Sequence, residues 1–320
     1  MNSVTPSRQD FLISVVVPIM NEEGNITKLI DRVSTALVNY DSYEIIFVND
    51  GSTDNTLDLI KQIAETDHRI KYISFSRNFG HQSALRAGLD YAEGDCVVSM
   101  DGDLQHPPEL IPDMIEKWID GYDVVNTLRK DTTETGFFKR KTSEFFYKII
   151  NRLSDVEIEQ GSADFRLVDR TVINALRKFQ ENHIFYRGLV RWLGFKQYAL
   201  EYIPEQRVWG TTKYSLKKMF KFALVGITSF SIKPLHFSTI LGTVMAIASF
   251  FYGIYAVMMK IFTDQTIPGW TSLLIAVSLI GGIQLLMIGV LGEYLGKLFI
   301  ESKKRPPYII KEDNLKNIAN

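Results

Sequence analysis

The chain has 320 residues, enough for one large α/β domain and an appendage. Its 36 Lys and Arg against 37 Asp and Glu leave no basic surplus of the kind that nucleic-acid binding requires, so a nucleic-acid partner is not expected. The single cysteine, Cys96, excludes an internal disulfide and fits a reducing compartment.

Phe11–Val17, the first apolar stretch, is too short for a signal peptide and stops at Pro18. From Leu12 to Leu128, short apolar runs alternate with longer amphipathic ones. The pattern predicts strands at Ile13–Val17, Tyr43–Val48, Ile70–Phe75, Cys96–Met100 and Val124–Leu128, and helices near Gly24–Asn39, Thr53–Thr66, Gln82–Ala92 and Pro108–Asp120. This βαβ rhythm implies a doubly wound, mostly parallel α/β sheet, in which ligands bind at the carboxyl ends of the strands. Cys96, inside an apolar run, reads as a small buried hydrophobe rather than a catalytic thiol.

The second half changes character. Residues 137–153 read as an amphipathic helix, and 213–233 as a helix with a lysine-rich face and an aromatic-aliphatic face, suited to a membrane interface. Pro234–Met259 and Gly269–Gly292 are free of charge and long enough to cross a hydrocarbon core of about 30 Å. The short link between them makes a hairpin. Lysines before Pro234, then Lys297, Lys303, Lys304 and Arg305, place both termini in the cytosol by the positive-inside rule. The expected organisation is a cytosolic domain over 1–212, an interfacial helix over 213–233, two transmembrane helices within 234–298 (about 234–259 and 269–295) and a cytosolic tail over 299–320, in an inner membrane.

The predicted strand ends carry the chemistry. Asp101-Gly102-Asp103 follows the fourth strand, and two carboxylates there suit a hard divalent cation that keeps sites for phosphates. Asn49-Asp50-Gly51-Ser52-Thr53-Asp54 follows the second strand. Asp50 there is suited to accept hydrogen bonds from a base or ribose, and Ser52 or Thr53 to cap the next helix. The first strand end offers Pro18, Asn21 and Glu22 for a nucleobase edge, with Glu22 and Glu23 equally suited to a helix N-terminus.

Together with Arg77-Asn78-x-Gly80 and Met100-Asp101-Gly102-Asp103-Leu104-Gln105-His106-Pro107-Pro108, these segments resemble family 2 glycosyltransferases of the GT-A (Rossmann-like) fold. The nearest likeness is to the polyprenyl-phosphate group, such as bactoprenol glucosyltransferases and dolichol-phosphate mannose synthase. It extends through Ala163-Asp164-Phe165-Arg166-Leu167 and Arg207-x-x-Gly210-x-x-Lys213-Tyr214 to the paired apolar segments.

The resemblance implies that Pro18, Asn21, Glu22, Asp50, Asp101, Gln105, Arg207 and Lys213 bind a nucleotide sugar. Asp101 and Asp103 would hold Mg²⁺ or Mn²⁺. Arg129, Arg140 and Ser143 would receive the phosphate of a polyprenyl lipid, with plain solvent or headgroup contacts the alternative for both arginines. Asp164 and Asp103 would be catalytic, Asp164 as base or positioning residue, with Arg166 its expected partner; a merely structural Asp–Arg pair is the alternative. The implied reaction is inverting transfer of a hexose, glucose from UDP-glucose first, to undecaprenyl phosphate, with GDP-mannose or a UDP-4-amino-arabinose donor as variants. Small residues at Gly281-Gly282 and Gly289-x-x-Gly292 favour a homo-oligomer. A processive polymer synthase fits poorly, because Gly188-x-x-Arg191-Trp192 has glycine where its motif has glutamine. A dinucleotide oxidoreductase lacks its glycine fingerprint after the first strand. A non-catalytic membrane scaffold is the remaining rival.

Overall fold

A computed structural model describes residues 11–130, 161–179, 181, 185–203, 231–263 and 269–315. The expected amphipathic helix at 137–153 and nearly all of the interfacial helix lie outside the described residues, as do Arg140, Ser143, Arg207 and Lys213.

The first half follows the βαβ rhythm. β1 (Ile13–Ile19), β2 (Tyr43–Asn49), β3 (Ile70–Phe75) and β4 (Cys96–Ser99) alternate with α1 (Ile26–Ala36), α2 (Thr56–Thr66) and α3 (His81–Tyr91). A 3₁₀ turn at Pro108–Leu110 leads into α4 (Ile111–Ile119) and β5 (Val124–Arg129). β1 and β2 are buried at every position, which explains runs that are apolar apart from Ser14, Glu44 and Asn49. Beyond these come β6 (Ser162–Asp169), α5 (Arg170–Leu176), α6 (Tyr186–Trp192) and β7 (Gln197–Tyr202).

The strands form one eight-stranded sheet in the order β7-β5-β6-β4-β1-β2-β3-β8. β1 pairs in parallel with both β2 and β4, and β6 is inserted antiparallel between β4 and β5. From β1 the chain winds outward through β2 and β3, then returns to place β4 on the other side. That reversal opens a crevice at the carboxyl ends of β1 and β4, where doubly wound sheets bind ligands. Pro18 is tolerated in this central strand because the β1–β4 pairing has already ended at Val16 and Ser99. One apolar cluster packs α1 and α4 against one face of the sheet, and a second packs α3, α5 and α6 against the other. Cys96 is fully buried, and burial pushes its thiol far up, so it is a core residue.

Two long helices follow, α7 (Lys233–Thr263) and α8 (Trp270–Ser302). Within them Lys233–Met259 and Ile275–Ser302, of 27 and 28 residues, are long and apolar enough to cross a bilayer, with mean hydropathies of 1.9 and 2.2. Nothing in either apolar window is buried inside the protein, unlike the core helix of a soluble domain.

The segment expected to be a tail contains β8 (Ile310–Asp313), which pairs antiparallel with β3. Tyr308 stacks on Phe75 and donates to Asp90, Lys61 pairs with Glu312 at 2.7 Å, and the Asn314 side chain accepts from the Tyr72 backbone. The end of the apolar hairpin is thereby strapped to the sheet edge, which also covers β3's unpaired backbone groups.

Candidate active site

The loops after β1 and β2 are laced together. Asn21 adopts a left-handed conformation (φ 57°), donates its N–H to Ser52 Oγ and accepts from the Thr53 N–H at 2.8 Å. The Glu22 N–H donates to Thr56 Oγ1, and the Glu22 carboxylate accepts from the Asn25 amide at 2.6 Å. Asn21 and Glu22 therefore shape the rim of the crevice. Ser52 and Thr53, expected as helix caps, serve as cross-loop ties instead; Asp54 accepts from the first N–H of α2.

Asp50 is buried beneath this rim. Its two oxygens accept the Phe79 and Gly80 N–H groups at 2.6 and 2.9 Å, fixing the loop before α3. Burial raises its pKa, opposed by those two backbone bonds. Gly51, at φ 72°, lets the loop turn where a Cβ would lie 2.7 Å from the backbone of Arg77 and Asn78.

After β4, the Asp101 N–H donates to His106 Nδ1, and Asp103 Oδ1 accepts from the Gln105 N–H across a left-handed Leu104. The His106 ring stacks on Phe165 at 5.2 Å, tying the Asp101–Asp103 loop to β6. A Cβ on Gly102 would press on Ile19 at 2.7 Å, so the loop sits directly against β1.

Antiparallel pairing of β4 with β6 brings Asp164 beside this loop: Ser99 Oγ donates to the Asp164 carbonyl at 2.7 Å. Arg187 of α6 grips the Asp164 carboxylate with a fork, Nε to Oδ1 and Nη2 to Oδ2, both 2.9 Å. Arg166, the expected partner, stands 3.4 Å away and donates mainly to the Ala163 carbonyl. Arg166 is a partner as expected, and Arg187 holds the shorter, two-point pair, which sequence proximity could not supply. Burial alone would raise the Asp164 pKa, but Arg187, His81 and Arg166 hold it well below the usual carboxylate range. Burial lowers Arg166 to about 10, with the Asp164 charge opposing and Arg187 assisting.

His81, the first residue of α3, was not anticipated. Its Nε2 lies 3.5 Å from Asp101 Oδ1 and 3.7 Å from Asp164 Oδ2. Its side chain is 42% exposed, so desolvation by the surrounding loops, which would lower its pKa, is outweighed by Asp164 and Asp101, which raise it to about 9. Arg129 ends β5 exposed on the same side. Burial pushes the Tyr202 phenol up to about 12, opposed by Arg129 and reinforced by Asp101 and Asp103.

Among the described residues no three His, Cys, Asp or Glu side chains form a ready metal cage. The donor set nonetheless suits an ion completed by phosphates: Asp103 is buried near Asp101, and Asp101 Oδ1 is buried without a hydrogen-bond partner.

The comparisons with known proteins agree with this geometry. The profile described as Glycosyl transferase family 2 matches residues 14–177. The chain belongs to this family. It is therefore a glycosyltransferase, and the mostly parallel sheet with its antiparallel β6 is the family's GT-A fold. It is 45% identical to the uncharacterized glycosyltransferase YkcC of Bacillus subtilis over 93% of each chain. It is 44% identical to the prophage bactoprenol glucosyl transferase homolog of Escherichia coli, over 93% of this chain and 98% of the other. It is 43% identical to the bactoprenol glucosyl transferase of Shigella phage SfV, over 95% and 99%.

Proposed function

We propose that this family 2 enzyme transfers glucose from UDP-glucose to undecaprenyl phosphate, releasing UDP and giving a lipid-linked sugar for export and cell-surface glycan modification. The observation that carries this is the facing pair Asp101 and Asp164 at the sheet's switch point, on a chain that continues into two long exposed apolar helices. The near full-length likeness to proteins named for bactoprenol supports a lipid acceptor.

Asp101 and Asp103 would hold Mg²⁺ or Mn²⁺; a bound divalent ion supplies positive charge for the departing diphosphate. Pro18, Asn21, Glu22, Asp50 and Gln105 form the donor side, with Arg207 and Lys213 supplying cations to the donor phosphates. Arg129, Arg140 and Ser143 receive the acceptor phosphate. One phosphate oxygen of the acceptor bonds to the anomeric carbon as the bond to the diphosphate breaks, so configuration inverts. A phosphate monoester is largely dianionic at neutral pH, its second pKa being about 6, so no proton must be removed. That suits Asp164, because a carboxylate held far below its usual pKa is a poor base but a fixed charge. Asp164 orients and balances charge around the attacking oxygen.

The two apolar helices span the inner membrane, with the catalytic domain and both termini cytosolic. Gly281, Gly282, Gly289 and Gly292 have open space where a Cβ would stand, which favours packing of a second copy into a homo-oligomer. The test is a panel of UDP-glucose, GDP-mannose and other nucleotide sugars offered to the purified full chain with undecaprenyl phosphate. A glucosyl lipid from UDP-glucose is expected; a lipid product from GDP-mannose alone, or none from any donor, overturns the assignment.

A further inference from the structure

His81 opens α3 between two carboxylates that belong to different strands. Asp101 lies at the end of β4, and Asp164 lies near the start of the antiparallel β6. Nε2 stands 3.5 Å from one and 3.7 Å from the other, and the side chain is 42% exposed to the crevice. Two carboxylates brought this close repel, and each prefers to swing toward solvent unless a donor or cation stands between them. Arg187 grips Asp164, and His106 Nε2 lies 3.8 Å from Asp101 Oδ2. Among the described contacts, His81 alone touches both.

The position of His81 is itself imposed from below. Gly80 adopts φ 99°, a conformation that non-glycine residues rarely take, and its carbonyl accepts the Ser83 N–H to start α3. Asp50 holds the Gly80 and Phe79 N–H groups. Phe79 is further clamped edge-on to Phe75 at 5.6 Å and capped by the Arg77 guanidinium at 4.0 Å. Asp50 on the nucleoside side thus determines where the imidazole stands on the transfer side.

We propose that His81 is a positioning residue of the transfer reaction. It bridges Asp101 and Asp164 and fixes the gap between the donor diphosphate and the attacking phosphate, and Asp50 sets that bridge through the Phe79–Gly80 backbone. The role rests on the transfer proposed above and adds to it a residue that makes no demand on donor affinity.

The test compares His81→Gln, His81→Lys and wild type as full-length protein in vesicles containing undecaprenyl phosphate, with UDP-glucose varied. Expected for His81→Gln is a fall in kcat of about 10- to 100-fold with the donor KM within about twofold, because misplacement of reacting groups is felt in the transition state. The ratio of lipid transfer to slow hydrolysis of UDP-glucose should fall as well, since water needs no fixed gap. His81→Lys, whose N–H donors can reach both carboxylates where a glutamine amide also presents an acceptor oxygen, should recover part of the lost kcat. Thermal unfolding midpoints of the variants identify any simple folding defect. Wild-type kcat in His81→Gln, or a KM increase that accounts for the whole loss, overturns the proposal. Should wild type itself make no lipid product, the transfer reaction fails instead, and the two failures are distinguishable.

Discussion

Arg187 and Asp164 meet through two parallel N–H···O bonds of 2.9 Å, although 23 positions separate them in the chain. The planar fork suits a carboxylate; Asp164 is buried, while the Arg187 side chain keeps 24% of its surface exposed. Removing Arg187 leaves the buried Asp164 charge to His81 and Arg166 alone, which destabilises the fold by less than the roughly 3–5 kcal/mol of a fully buried, wholly unpaired charge. Arg187→Met should therefore lower the denaturation midpoint and reduce kcat by about 100-fold. Arg187→Lys, which keeps charge but loses the fork, should fall between. Unfolding in urea alongside transfer rates checks both, and unchanged kcat in Arg187→Met contradicts the orienting role.

Asp101→Asn and Asp103→Ala remove carboxylate oxygens at the end of β4, where Asp101 Oδ1 makes no hydrogen bond and has His81 Nε2 3.5 Å away. Each should weaken Mn²⁺-dependent binding of UDP by about tenfold or more. Titration calorimetry with and without the ion checks this. Metal-dependent affinity equal to wild type in both variants contradicts the metal assignment.

The His81 pKa is raised from 6.5 to about 9, so the protonated imidazole is favoured by folding. Its stabilising contribution is complete below about 6.5 and is lost as pH rises through about 9. The stability gap between wild type and His81→Gln should be largest near pH 6 and close by about pH 10. Denaturation midpoints across that range measure it; a gap that grows with pH contradicts the sign.

Gly51 combines φ 72° with a 2.7 Å approach to the Arg77–Asn78 backbone. Gly51→Ala should cost about 1–3 kcal/mol by forcing a side chain into a left-handed conformation against backbone that cannot yield. Chemical denaturation checks this, and a neutral result would show that the β2 and β3 loops separate freely.

The strap formed by Tyr308, β8 and Asn314 joins the end of α8 to the sheet edge. A flexible insertion after Arg305 should leave UDP binding unchanged while slowing transfer to undecaprenyl phosphate in vesicles. Equal losses in both measurements would mean that the strap serves folding alone.

β1 to β5 were legible because buried parallel strands leave mostly apolar runs, and their polar ends stood out against them. β6 was harder to see, since Asp164 and Arg166 alternate with Ala163, Phe165 and Leu167 as charges inside a buried strand. Nearness in sequence made Arg166 the natural partner for Asp164. The true grip comes from α6, and no local pattern connects it to β6. His81 carried one readable signal: it stands just past a strand end, after Gly80. β8 was masked by its position behind an apolar hairpin, where Pro306-Pro307 followed by Tyr308-Ile309-Ile310 was the available sign of an extended segment.

The central claim is that a lipid phosphate is the nucleophile. The most direct measurement offers wild-type protein UDP-glucose with undecaprenyl phosphate or with undecaprenol, in otherwise identical vesicles, and quantifies glucosyl lipid by mass. Product from the phosphate and essentially none from the alcohol is the predicted result. Comparable product from undecaprenol would contradict the account, because Asp164 would then have to remove a proton that a carboxylate held so far below its usual pKa is poorly placed to take.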